Sequence, residues 1–98
     1  MKLRLSEQAQ QDMETIDAWW REHRPAAPLL FRQELRAAIE QIEANPESGT
    51  PYLGAKKPYR RVIFLKSKYL LYYEYDRVAG VLAVASIWSG HRGGPPDL

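Results

Sequence analysis

Cationic and aromatic side chains dominate the second half of this sequence. Residues 1–45 hold six lysines and arginines against eight acids, whereas residues 46–98 hold eight against four. Lys56–Lys68 (KKPYRRVIFLKSK) contains six cations and no acid. A solvated strand surface is the ordinary role of such a run, but it also indicates an anionic partner, either nucleic acid or an acidic protein segment. The side chains that we expect to bind a partner are Lys56, Lys57, Arg60, Arg61, Tyr69, Tyr73, Trp88 and Arg92.

Chemistry on a phosphate would need an arginine to hold it and a side chain to move a proton. Arginine offers a bidentate fork to phosphate oxygens, and the ordinary pKa of histidine suits proton transfer near neutrality. His91 lies next to Arg92 in a glycine-rich tail, where a histidine is more often merely exposed. The residues that could act together on a phosphate are Arg61, Tyr73, His91 and Arg92.

Strand geometry limits how many of these side chains can share a site. Arg60 and Arg61 are neighbours, so in a strand they point to opposite faces of the sheet. The sequence therefore offers cations that can bind phosphate but no compact acid–base set. Packing is the ordinary role of strand tyrosines, which here are Tyr59, Tyr69, Tyr72, Tyr73 and Tyr75.

Composition excludes several classes of site. The 98 residues suit one domain over 1–98, with an irregular tail from about residue 89. Because there is no cysteine, neither a disulfide nor a thiolate metal site can form. The two histidines, His23 and His91, lie far apart, so we expect no metal and no cofactor. The amino terminus lacks a secretory apolar run and no stretch reaches membrane-spanning length, which predicts a cytoplasmic protein that does not engage a membrane.

Two segments have helical periodicity. Ser6 is suited to cap a helix, and apolar residues then recur at four-three-four spacing, which predicts a helix over 7–23. A second apolar stripe ends at Asn45-Pro46, and the short HRPAAP connection between the two predicts an antiparallel helical hairpin. Trp20 continues the first stripe and is predicted to be in the core. Trp19 lies at the edge of the stripe, where packing is favoured over contact with a partner.

The remaining segments have strand-like periodicity. Strands are predicted over 2–5, 59–65, 69–75 and 81–88, and a loop over 46–58. The first strand must join the sheet, because a lone strand cannot satisfy its backbone. The order predicts an α+β fold: a strand, an antiparallel helical hairpin and a three-stranded antiparallel meander (β-α-α-β-β-β), with both helices packed on one sheet face.

Four pieces of the sequence resemble the RelE/ParE superfamily of bacterial toxins over nearly the full chain. They are LRLSEQAQQDMETIDAWW, FRQELRAAIEQIEANPESG, RRVIFLKSKYLLYYEYD and VLAVASIWSGHRGGPP. Each piece alone has low specificity, but together, in this order and spacing, they identify the family. The end of the second helix and the YLLYYEY strand are more similar to ParE-like members.

The resemblance implies the toxin of a type II toxin–antitoxin system, but a shared fold does not decide the target. ParE-like members bind and poison DNA gyrase without chemistry of their own, whereas RelE-like members cleave messenger RNA in the ribosome. Because the sequence offers no compact acid–base set, we expect a growth-inhibiting gyrase poison without catalytic residues. The alternatives are an mRNA endonuclease, acting through 2′-hydroxyl attack, and a non-toxic nucleic-acid-binding domain.

The resemblance also implies a cognate antitoxin, because a toxin that stops its own host must be silenced. An acidic amphipathic segment that folds on binding could cover Arg61 and Arg92. The sequence departs from many relatives in one respect. Ser89, rather than histidine, follows Trp88, so this chain either lacks the role of that histidine or supplies it from His91.

Overall fold

The computed structural model describes residues 2–53, 55–90 and 98. These residues form two helices and one five-stranded sheet, which confirms the predicted α+β fold. No helix in these ranges is both long and apolar enough to cross a membrane. The elements in chain order are β1 (Lys2–Leu5), α1 (Glu7–His23), α2 (Leu30–Ala44), β2 (Thr50–Tyr52), β3 (Tyr59–Ile63), β4 (Tyr69–Asp76) and β5 (Val81–Ser89).

The strands lie side by side in the order β1-β5-β4-β3-β2. β1 pairs parallel with β5, as the need to satisfy its backbone predicted, and the other pairs are antiparallel. The β4–β5 ladder shifts register between two adjacent tyrosines, since Tyr72 pairs with Ser86 but Tyr73 with Val84. Ala85 is therefore an extra residue in β5, a bulge that locally strengthens the twist of the sheet.

β2 lies within the segment 46–58 that the sequence predicted to be a loop, and that prediction was wrong for three residues. Thr50–Tyr52 pairs with β3 and forms one edge of the sheet. An edge strand tolerates Pro51, because only one side of the strand needs ladder hydrogen bonds. At the other end of the sheet, β5 continues through Ser89, one residue beyond the predicted strand.

Side chains tie the helices to the sheet. The Ser6 hydroxyl oxygen accepts a hydrogen bond from the Ala9 N–H at 3.0 Å and so caps α1. The same hydroxyl donates to the Ala85 carbonyl at 2.7 Å, which fixes the start of α1 against β5. One turn later, the Asp12 carboxylate accepts the Ile87 N–H at 3.0 Å. These contacts cover the part of the β5 edge that β1 leaves unpaired.

The core lies between the helices and one face of the sheet. Trp20 is 9% exposed and belongs to this core, whereas Trp19 is 39% exposed, stacks on His23 and lies under the Arg24 guanidinium. Both helices therefore cover the same sheet face, as predicted. The other buried members of the cluster are Ala9, Phe31, Ala38, Ile42, Phe64, Leu71, Tyr73, Leu82, Val84 and Ile87.

Glu34 joins α2 to the turn between β3 and β4. Its carboxylate accepts the Lys66 N–H at 3.0 Å and the Ser67 N–H at 2.7 Å. Partial burial raises the pKa of Glu34, but these hydrogen bonds, with the nearby Lys66 charge, outweigh it and hold the pKa below its ordinary value. The ionised carboxylate is thus a structural link between the two layers.

Candidate functional site

The sheet face opposite the helices, called the far face below, gathers aromatic and cationic side chains. Cross-strand pairing places Tyr52 beside Tyr59, and Arg61 beside Tyr72. Trp88 lies on the same face, because its neighbour Ile87 points into the core. Four strands, β2 to β5, therefore contribute to one surface.

Arg61 and Tyr72 form the centre of the far face, and both contact the ring of Tyr52. The Tyr52 and Tyr72 rings meet edge to face at 5.2 Å, and the Arg61 guanidinium carbon lies 5.7 Å from the Tyr52 ring centroid. Tyr72 is 0% exposed although it faces away from the helices. Within the described ranges, neither its hydroxyl nor Arg61 Nε has a hydrogen-bond partner, and both atoms are buried.

The neighbours of these two residues lie on the helix side of the sheet. The Tyr73 hydroxyl donates to the Pro46 carbonyl at 2.8 Å and accepts the Gly49 N–H at 2.9 Å. The Arg60 guanidinium donates to the carbonyls of Glu47 and Gly49 at 3.0 and 2.8 Å. Gly49 must lack a side chain, since a Cβ would lie 2.7 Å from the Tyr73 ring. Both candidates from the sequence therefore hold the segment that leads from α2 into β2.

Tyr69 also lies on the helix side. Its hydroxyl accepts the indole N–H of Trp20 at 3.1 Å, and its ring meets Phe31 edge to face at 5.1 Å. The sequence proposed Tyr69 and Tyr73 for partner binding and Tyr73 for proton transfer. The fold does not bring either of them onto the surface that contains Arg61.

The remaining candidates surround the far face. The Lys57 ammonium lies 3.6 Å from a Glu74 carboxylate oxygen, while Lys56 is exposed. Next to β5, a depression of about 550 Å³ is lined by side chains that include Tyr59, Ser86 and Trp88. The far face is therefore concave next to β5 and cationic near Lys56 and Lys57.

Two candidates, His91 and Arg92, lie outside the described residues. Whether His91 takes the place of the histidine expected at Ser89 stays a prediction for the same reason. Within 2–53, 55–90 and 98, no group of three histidine, aspartate or glutamate side chains could hold a metal ion. The far face, as far as the structure describes it, is suited to binding through cations and aromatic rings.

Sequence reasoning missed Tyr72 and Tyr52. Tyr72 was expected only to pack, which is the ordinary role of strand tyrosines. The sequence does not show which of the adjacent residues Tyr72 and Tyr73 faces the helices, because that depends on the register of the strands. Tyr52 was placed in a loop. The available signal was strand alternation: once Arg61 faces away from the helices, its partner across the ladder must do so too.

Comparison with known proteins gives a family and a fold. Residues 3–93 match the family model described as the ParE toxin of the type II toxin–antitoxin system parDE. The isolated E. coli RelE toxin is similar in structure with a TM-score of 0.65 at 18% sequence identity, covering 94% of this chain and 86% of that one. The intact E. coli RelBE toxin–antitoxin complex contains a chain with a TM-score of 0.65 at 19% identity, covering 93% of this chain and 98% of that one. No curated protein sequence matches this chain.

Proposed function

This chain belongs to the ParE toxin family of type II toxin–antitoxin systems, and from that membership we propose that it arrests bacterial growth by binding and poisoning DNA gyrase through the far face. Poisoning of this kind needs a complementary surface rather than reacting groups. The far face supplies the partly exposed side chains of Arg61, Tyr52 and Trp88, beside the buried ring of Tyr59. Arginine and aromatic residues are the side chains most enriched at the centres of protein interfaces.

One observation carries the proposal: within the described residues, the far face has a cation that could bind phosphate or carboxylate, Arg61, but lacks Tyr73, the described residue predicted to transfer a proton. RNA cleavage needs a base for the 2′-hydroxyl and an acid for the leaving oxygen, both within hydrogen-bond reach. The Tyr73 hydroxyl is held by backbone groups on the helix side. Of the two catalytic candidates on described residues, Arg61 and Tyr73, only Arg61 lies on the far face.

Ribosome-dependent cleavage of messenger RNA is the second candidate, favoured by the Tyr72 hydroxyl. This hydroxyl has no partner in the described chain and lies on the cross-strand neighbour of Arg61. An arginine beside a tyrosine could hold a phosphate and exchange a proton with it. In this alternative Tyr72 would replace Tyr73 in the predicted set, together with His91 and Arg92.

An antitoxin is the expected partner of a type II toxin. We propose that its neutralising segment is acidic and amphipathic, because residues 56–68 hold six cations and no acid. An antitoxin that covers the far face would hide Arg61 from gyrase. Neutralisation and toxicity would then depend on the same surface.

Two assays on one preparation test the target. Purified toxin should block supercoiling by DNA gyrase and trap cleaved DNA, while translation by purified ribosomes continues. Arg61→Ala should weaken gyrase inhibition by about tenfold or more, since an arginine at an interface centre often contributes over 1 kcal/mol. Arg36→Ala removes the same charge from an exposed position on α2 and serves as the matched control.

The outcomes separate the candidates. Codon-positioned cuts in ribosome-bound message, with gyrase unaffected, would assign the nuclease activity instead. A folded toxin that is inactive in both assays would rule out the gyrase proposal, as would equal activity of the Arg61 and Arg36 variants. In cells, expression of the toxin alone should arrest growth, and co-expression of its antitoxin should restore it.

A further inference from the structure

Two buried donors on the far face have no hydrogen-bond partner within the described residues, and we propose that together they form a socket for the carboxylate of an acidic side chain from a protein partner. The donors are Arg61 Nε and the Tyr72 hydroxyl, on residues paired across β3 and β4. Buried polar groups without partners are rare in native proteins. An oxygen acceptor placed between the two would satisfy both. This inference deepens the proposed function and rests on it for the identity of the partner.

No acid in the described chain fills this role. The ion pairs in the described ranges join Asp17 to two arginines, Glu47 to Arg77, and Glu74 to Lys57. Glu74 is the nearest acid along β4 on the same face, and its carboxylate is turned to Lys57 at 3.6 Å. Arg61 therefore keeps its charge available for a carboxylate from another molecule.

The size of the socket favours a carboxylate over a phosphodiester. Arg61 Nε and the Tyr72 hydroxyl have almost no solvent-exposed area, so a ligand must reach them with a narrow end group. The terminus of a glutamate or aspartate is planar and slim, and it matches the planar edge of a guanidinium. A phosphodiester carries a sugar on either side, and its approach would need the strands to separate.

The ring of Tyr52 limits access to the socket. Tyr52 belongs to β2, the short edge strand, which we expect to move more easily than the other strands. Its ring contacts both residues that carry the donors: the ring centroid lies 5.2 Å from that of Tyr72 and 5.7 Å from the Arg61 guanidinium carbon. β2 is three residues long, pairs on one side only and contains Pro51, which has no N–H to add to the ladder. A small displacement of Tyr52 opens the socket without disturbing the core.

Nuclear magnetic resonance can test the socket with acetate as the probe. The Nε–H signal of Arg61 should shift and saturate as acetate is added to the full-length toxin. The Nε–H signal of Arg60 should not, because that guanidinium is already bound to two carbonyls. Tyr72→Phe should weaken acetate binding about three- to tenfold, the effect of removing one hydrogen bond. Tyr75→Phe, on the helix side, is the matched control and should leave acetate binding unchanged.

Each other result overturns the socket. If inorganic phosphate shifts the Arg61 signal at concentrations where acetate does not, the site binds phosphate and suits nucleic acid. If neither anion shifts it, the two donors are satisfied by water alone. Equal effects of Tyr72→Phe and Tyr75→Phe would show that the tyrosine hydroxyl takes no part.

Protein partners then identify the source of the carboxylate. If Tyr72→Phe loses gyrase inhibition, the acid belongs to gyrase; if it still inhibits gyrase but escapes its co-expressed antitoxin, the acid belongs to the antitoxin. Full response of the variant to both partners would contradict the inference. Because the acetate titration needs no gyrase, the socket and the gyrase proposal can fail separately.

Discussion

On the helix side of the sheet, Tyr73 and Arg60 are bonded to the backbone around Gly49, whereas Tyr72 and Arg61, their neighbours in sequence, carry unpartnered atoms on the far face. The two pairs have the same chemical groups in the same two strands. Only the face differs. One face uses a tyrosine and an arginine to hold the fold, and the other leaves the same groups unsatisfied.

This difference in hydrogen bonding between the two faces indicates which face is the better candidate for function. A side chain whose hydrogen bonds are complete is explained by the structure that it supports. A buried donor without an acceptor lowers stability, so each such group needs an explanation, and a functional role is one of them. The far face is therefore the better candidate surface, although both faces contain the residue types that the sequence singled out.

The tyrosine pair gives the largest expected contrast in stability. Tyr73→Phe leaves the buried Gly49 N–H without an acceptor and the Pro46 carbonyl without a donor. We expect it to lower the free energy of unfolding by about 1–3 kcal/mol. Tyr72→Phe removes a hydroxyl that has no partner, so we expect a change of no more than about 0.5 kcal/mol. Urea unfolding monitored by circular dichroism measures both, and similar losses would remove the distinction between the faces.

The arginine pair should separate stability from binding. Arg60→Ala removes two hydrogen bonds to carbonyls and should lower the free energy of unfolding by about 1–2 kcal/mol, since the guanidinium is only partly buried. Arg61→Ala should change the free energy of unfolding by about 1 kcal/mol or less, the scale of its contact with the Tyr52 ring, but weaken gyrase inhibition. If Arg60→Ala proves as stable as the parent and loses inhibition, the functional arginine is on the helix side.

The sequence predicted most of the fold but could not assign these faces. The periodicity of α1 predicted its bounds, 7–23, and strand alternation placed Arg60 and Arg61 on opposite faces. Which of them faces the helices depends on the β3–β4 turn, where Lys68 adopts a φ of 65°, and on the β5 bulge opposite Tyr72 and Tyr73. Local residue preferences do not predict such tertiary features. For this reason Tyr73, and not Tyr72, was proposed from the sequence as a candidate site residue.

Glu34 makes the stability of the fold depend on pH through its contacts on the helix side. Its pKa is lowered in the folded chain, so its ionised form stabilises the fold above its ordinary pKa of 4.5. That contribution should fade as the pH falls below 4.5 towards the folded value. Glu34→Gln should cost about 1 kcal/mol at pH 7 and show a flatter loss of stability in acid. Parallel curves for the parent and Glu34→Gln between pH 6 and about 3 would contradict this role.

Two lysines beside the far face give the smallest expected effects. The Lys57 ammonium is partly neutralised by Glu74, whereas the exposed Lys56 has no ion pair in the described ranges. Neither Lys56→Gln nor Lys57→Gln should change the free energy of unfolding by more than about 0.5 kcal/mol, because exposed ion pairs contribute little.

Binding to an anionic partner should depend on the net charge of this margin. Lys56→Gln and Lys57→Gln each remove one positive charge and should slow association with gyrase in low salt. The double variant Lys57→Gln/Glu74→Gln removes both members of an ion pair and keeps the net charge, so it should associate faster than either single variant. Both losses should shrink in about 0.5 M salt, where screening acts within a few ångströms. Association rates measured at two salt concentrations test this order, and rates insensitive to salt would show that the basic margin of the far face does not meet the target.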